Sequence, residues 1–134
     1  MGHTTEYAFR TTLSLPYEQA VEEVTAALKK EGFGILTEID VKATLKQKLD
    51  ADFRRYVILG ACNPPLAHQA LQTELEIGLL LPCNVIVYEA DGGSTVAIVD
   101  PVVMMSVVGN PDLEPVALEA RTRLQRALES LEGR

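Results

Sequence analysis

Residues 85–99 read VIVYEADGGSTVAIV, and this stretch decides the fold. Two β-branched runs, residues 85–89 and 95–99, flank Asp91-Gly92-Gly93-Ser94. Glycine supplies the positive φ that a tight turn demands, so the segment predicts an antiparallel hairpin. Its apolar residues do not alternate with polar ones. Val85 and Val87 point to one face of the ribbon, Ile86 and Tyr88 to the other. Residues 55–61 predict another strand of the same kind, with Val57, Leu59 and Ala61 opposing Tyr56, Ile58 and Gly60. An antiparallel sheet ordinarily wets one face, whereas here both faces need cover.

Outward from this centre, the chain supplies two long amphipathic helices for one face. Tyr7, Phe9, Thr11 and Leu13 alternate with Ala8, Arg10 and Thr12 in a first strand. A helix follows, with Ser14 as its expected cap and Pro16 in its first turn. Tyr17, Ala20, Val21, Val24, Ala27 and Leu28 form its apolar stripe, Lys29 and Lys30 suit its negative end, and Gly32 stops it. Residues 35–39 read as a second strand. Asp40 is placed to cap a short helix in which Val41, Leu45 and Leu49 share a face, leaving Lys42, Lys46 and Lys48 to solvent. Asn63-Pro64-Pro65 ends the strand at 55–61 and starts a short helix through Leu71, followed by a loop with Gly78 and Pro82. Residues 101–108 suit either element: Met104 and Met105 favour a helix, the valines a strand. Asp112 is the expected cap of the last helix, with Pro115 at its third position. The stripe of that helix is Leu113, Val116, Ala117, Ala120, Leu124, Ala127, Leu128 and Leu131, and Glu119 can pair with Arg123.

This order predicts a single α+β domain over residues 1–134, a mainly antiparallel sheet of about five strands with two long helices. The short helices at 41–49 and 65–71, a second subunit or a ligand must then cover the other face. Burying three large side chains there is worth about 5–9 kcal/mol before association costs, which favours a homodimer with closed symmetry.

The composition fits one globular domain: 134 residues, 47% hydrophobic and 23% charged. No apolar run approaches the roughly 18 residues of a transmembrane helix; the stretch at 77–88 is broken by Gly78, Pro82 and Asn84. A net charge of −7 disfavours nucleic acid and anionic membrane surfaces as partners. Arg121, Arg123 and Arg126 are the one basic concentration and read as a solvated helix face beside Glu119 and Glu129. Residues 1–6, MGHTTE, carry no apolar signal segment, and Glu6 fails the myristoylation pattern. Cytoplasm is the expected location, with both cysteines, Cys62 and Cys83, as thiols.

Chemistry can sit at Cys62, where a strand ends and a helix begins. A helix N-terminus favours a thiolate, and His68 lies six residues on. A thiol-dependent enzyme needs the two within hydrogen-bond reach, whereas a buried cysteine is a small hydrophobe. Cys62, Cys83 and His68 also have the softness for Zn(II) or Cu(I), but their spacing matches no short-loop zinc pattern. The carboxylates offer no acid/base pair, and no phosphate loop occurs.

Four segments together resemble a known family: GFGILTEIDVKATLKQKL at 32–49, YVILGACNPPLAHQAL at 56–71, IGLLLPCNVIVYE at 77–89, and Asp100-Pro101. In this combination and order the chain resembles domain-of-unknown-function family 302 over nearly its whole length. The resemblance implies a small α+β domain with a curved antiparallel sheet, grouped with TATA-binding-protein-like folds. It implies no reaction and no cofactor, and fold alone carries no DNA binding. The resulting expectation is a cytoplasmic homodimer that binds a small apolar or thiol-reactive ligand in a cleft beside Cys62. Asn63, His68 and Cys83 complete the candidate ligand-binding residues. The alternative is a thiol-dependent enzyme, or a redox or soft-metal protein, using Cys62.

Overall fold

The computed structural model describes residues 3–4 and 7–134. Met1, Gly2, Thr5 and Glu6, on which much of the reading of the amino terminus rests, lie outside the described residues. The chain forms β1 (His3–Thr4), β2 (Ala8–Leu13), α1 (Tyr17–Lys30), β3 (Gly34–Asp40), α2 (Val41–Leu49) and β4 (Tyr56–Cys62). There follow α3 (Pro64–Thr73), β5 (Cys83–Ala90), β6 (Gly93–Val99), α4 (Pro101–Ser106) and α5 (Glu114–Glu129), with 3-10 helices at Leu75–Leu80 and Pro111–Leu113. The strands make one antiparallel sheet in the order β1-β2-β6-β5-β4-β3. It is the expected α+β domain, its edge extended by the two residues of β1.

The hairpin sits at the centre. Its ladder runs to Ala90 opposite Gly93, so the turn is only Asp91-Gly92, tighter than the four residues expected. Both turn residues have positive φ, 43° and 82°, as a two-residue turn matched to strand twist requires. Gly93 is needed for space, since a Cβ there would lie 2.2 Å from the carbonyl oxygen of Leu13 in the neighbouring strand.

The two long helices pack on one face as expected. Val24 and Leu28 of α1 and Leu124 and Leu128 of α5 meet Val57, Leu59, Val85, Val87, Val96 and Ile98 of the sheet in one buried cluster. A smaller cluster, Ala70, Ile77, Met105, Leu113, Val116 and Ala117, lies where α3, α4 and the start of α5 converge. Helix α1 ends at Gly32 (φ 84°): Phe33 N–H donates to the Leu28 carbonyl and Gly32 N–H to that of Lys29, satisfying two terminal carbonyls. Asp40 caps α2 by accepting from Ala43 N–H at 2.9 Å, and Glu119 pairs with Arg123 at 2.6 Å.

Four local expectations are corrected. Ser14 does not cap α1; its N–H donates to the carbonyl of Arg134, and Pro16 occupies the cap position without a side-chain bond. Asp112 does not cap α5. Asn110 instead accepts from Asp112 N–H and starts the 3-10 turn that feeds the helix. The segment with Gly78 is a 3-10 helix rather than a loop. Arg121 is more than a solvated charge: its guanidinium lies 5.6 Å over the Phe9 ring, with Asp100 Oδ2 at 3.6 Å from Nε. The ambiguous 101–108 segment resolves as α4, capped by Asp100, whose Oδ1 accepts from Val102 N–H.

The second sheet face is only partly covered by the chain itself: Tyr56, Ile58, Ile86 and Tyr88 are half-buried and Ala97 is buried. Helix α2 buries no residue fully, and Leu49 is 70% exposed. A row of Ile39, Ile58, Ile86 and Ala97 crosses β3, β4, β5 and β6 on that face. Beside it Tyr56 stacks on Tyr88 with centroids 5.4 Å apart, and Phe53 adds a tilted ring. Ile39 is 47% exposed, while Val57 and Val85 on the helix side are 3% and 0%. Among the described residues no helix is long and apolar enough to cross a membrane.

Candidate functional site

A cavity of about 310 Å³ opens where β4 gives way to α3. Cys62 and Asn63 contribute from this junction, and Leu66, Ala67 and Leu71 from α3. Pairing of β4 with β5 sets Ala61 opposite Cys83 and brings the second cysteine to the same wall. Met105 of α4 with Val116 and Ala120 of α5 close another side; Gly78, Leu81 and Pro82 complete it, with Phe33 from the α1–β3 connection and Leu36 from β3. No lining residue carries a charge. Leu36 and Leu71 of the lining are themselves exposed, as are Leu75 and Leu79 of the 3-10 helix that carries Gly78.

Of the four sequence-predicted residues, the structure brings Cys62, Asn63 and Cys83 to this cavity. His68 is exposed on α3 and is not part of the lining. Met105, Val116 and Ala120 were not anticipated as lining residues. Nothing local to residues 101–120 signals a site, since their convergence depends on how α4 and α5 dock.

The junction carries an unusual electrostatic arrangement. A helix N-terminus normally offers several free N–H groups, which is why anions and thiolates are favoured there. In α3 the first two positions are Pro64 and Pro65, which have no N–H. Leu66 N–H donates to Asn63 Oδ1 at 3.2 Å, and Ala67 N–H to the Asn63 carbonyl at 2.8 Å. No free donor remains in the first turn to hold a negative charge.

The thiols respond accordingly. Both cysteines are free. Burial pushes the Cys62 thiol above its ordinary value. Burial, with the neighbouring Cys62 as a second contribution, pushes Cys83 up to about 11. The expected dipole activation of Cys62 is thus outweighed by desolvation, and both groups are neutral thiols at pH 7. Among the described residues no group of three or more His, Cys, Asp or Glu is placed to hold a metal ion.

Asn63 is 4% exposed and structurally central. A Cβ on Gly32 would come within 2.8 Å of Asn63 Nδ2, so the glycine that ends α1 also lets the asparagine side chain fit beneath it. The cap bond fixes which side-chain atom is the oxygen.

A family model described as "Domain of unknown function DUF302" matches residues 9–131. A crystal structure of an uncharacterized conserved protein DUF302 from Bacillus stearothermophilus is similar, with a TM-score of 0.88 and 29% sequence identity. The similarity covers 96% of this chain and 100% of that one. No curated protein matches.

Proposed function

This chain belongs to the DUF302 family, and from that premise we propose that it is a small-ligand-binding module that acts as a homodimer in the cytoplasm. The observation that carries the reading is the uncharged cavity of about 310 Å³ beside Cys62, Asn63 and Cys83. Ligand sites are typically concave and apolar with few polar groups, and a cavity of about 150 Å³ already accepts benzene. This volume suits a bicyclic or similarly sized molecule. The half-covered second sheet face supports a dimer, as its row of isoleucines and stacked tyrosines is large for a surface left to water.

Naphthalene fluorescence tests the binding claim directly, because the chain has no Trp to obscure it. 2-Ethylnaphthalene is expected to bind the native protein saturably at one site per chain. Ala120→Leu, which fills the cavity from α5, should weaken that binding at least tenfold while leaving the far-UV circular dichroism unchanged. No binding, or equal binding by the variant, sinks the reading.

The second reading is a thiol-dependent enzyme, or a redox or soft-metal protein, built on Cys62. Its support is that Cys62, Cys83 and Met105 bring three sulfurs to one cavity. Against it stand the raised thiol values and the exposure of His68 outside the lining. Alkylation across pH and elemental analysis of purified protein separate this reading from the first.

A further inference from the structure

The lining of the cavity offers little to a polar ligand atom. None of its residues is charged. The first turn of α3 has its donors removed by Pro64 and Pro65 or consumed by Asn63. Asn63 Oδ1 is committed to the Leu66 N–H, and its Nδ2 lies against Gly32, which is not part of the lining. The two thiols are weak donors at best. A charged or strongly hydrogen-bonding group taken into this space would lose its hydration and gain no ionic partner.

Apolar surface, by contrast, runs from the lining into solvent. Leu36 and Leu71 both line the cavity and are exposed, Leu36 by 67%. Leu36 is the extra residue of a bulge in the edge strand β3: Ile35 pairs with Ala61 and Thr37 with Gly60, so no residue of β4 stands opposite Leu36. A bulge re-aims a side chain, and this one sets an exposed leucine on the cavity wall. In the 3-10 helix Leu75–Leu80, Leu75 and Gly78 stand one turn apart and share a face. Gly78 lines the cavity, and Leu75 is 82% exposed. Surface leucines scattered singly are ordinary, whereas leucines that continue an apolar cavity mark a groove for a ligand.

Resting on the reading that this cavity holds a small molecule, we propose that its ligand is a single-chain amphiphile, whose aliphatic tail fills the cavity and passes out over Leu36, Leu71 and Leu75 with its polar end in water. The volume of about 310 Å³ is roughly twice that which accepts the six carbons of benzene, so roughly ten to twelve tail carbons fit. The ligand comes from water rather than from a bilayer. Glu74 and Glu76 flank Leu75, and the protein carries a net charge of −7, so anionic headgroups are repelled.

Alkyl maltosides from hexyl to dodecyl, kept below their micelle concentrations, test this by calorimetric titration of the full chain, with 2-ethylnaphthalene as competitor. Affinity should rise about fourfold per methylene, the value of one buried CH₂. 1-Decanol should bind at least about tenfold more tightly than 1,10-decanediol, which carries a second hydroxyl to the buried end. Leu75→Ser, a change at an exposed side chain, should weaken the dodecyl compound about three- to tenfold more than the hexyl one. In flotation with phosphatidylcholine vesicles, with or without phosphatidylserine, the protein should stay in the unbound fraction. No binding of the alkyl probes, affinity independent of tail length, equal binding of decanol and decanediol, an equal effect of Leu75→Ser on both maltosides, or co-flotation with vesicles each overturns the proposal. Binding of 2-ethylnaphthalene in the same samples then leaves the ligand-binding reading intact. Failure of the alkyl probes and 2-ethylnaphthalene alike removes both.

Discussion

At Cys62 two residue-scale effects compete, and burial wins. The helix dipole is worth about 0.3–1 kcal/mol where first-turn N–H groups are free to express it. The two prolines of α3 remove that expression, while the cavity wall takes the sulfur out of water. Cys83 is deeper, at 5% exposure, and its value of about 11 has a consequence for stability. The unfolded chain releases this proton near the ordinary value of 9.0, whereas the folded chain keeps it to about 11. Stability from this group is therefore full below pH 9.0 and is lost as pH rises towards about 11. Tyr17 and Tyr56, both also raised by burial, act in the same direction, so a difference measurement is required. Urea unfolding at a series of pH values should show a shallower decline over this interval for Cys83→Ala than for the parent; equal slopes would contradict the burial argument. Cys62 and Asn63 were legible as candidate lining residues because a strand-to-helix junction is visible in Ala61-Cys62-Asn63-Pro64-Pro65. Met105 was not, because a thioether on an ambiguous segment carries no local signal.

The elements differ in what holds them. Helix α5 buries a continuous stripe, and Leu124 at its centre is 0% exposed. Helix α2 is held by its Asp40 cap and an αL exit at Asp50, with no fully buried side chain. Leu124→Ala should cost about 2–5 kcal/mol of stability, and Leu49→Ala within about 0.5 kcal/mol, in chemical denaturation. A large loss at Leu49 would mean that α2 packs against something outside the isolated chain. Periodicity of 3.6 made both long helices readable, and the same stripe in α2 left its docking open because spacing alone cannot distinguish a docked face from an exposed one. The start signals at Asp40 and Asn63 held, whereas those of the two long helices failed for a related reason. Ser14 and Asp112 have capping chemistry, but Ser14 N–H bonds to the Arg134 carbonyl, and Asn110 takes the role expected of Asp112.

On the scale of the whole molecule, the sheet has one sealed face and one that is only half covered. A stable association buries roughly 1,200–2,000 Å² in total. The Ile39, Ile58, Ile86 and Ala97 row with the Tyr56–Tyr88 pair supplies a self-complementary apolar centre, and a twofold axis over it would cover both copies at once. Light scattering after size exclusion should therefore return a dimer, and Ile86→Glu should return a folded monomer with the naphthalene site retained. A parent protein that elutes as a monomer at millimolar concentration would remove the dimer.

By itself the sequence determined the element types, the central hairpin, the α+β class and the apolarity of both sheet faces. These follow from short-range periodicity and turn chemistry, which are written into neighbouring residues. Only the tertiary structure decided that Cys83 joins Cys62 and Asn63 at one cavity, that His68 does not, and that α2 leaves the second face only partly covered. Those outcomes depend on strand register and helix docking between segments distant in the chain, where the free energy lies in mutual burial and no single stretch of residues encodes it.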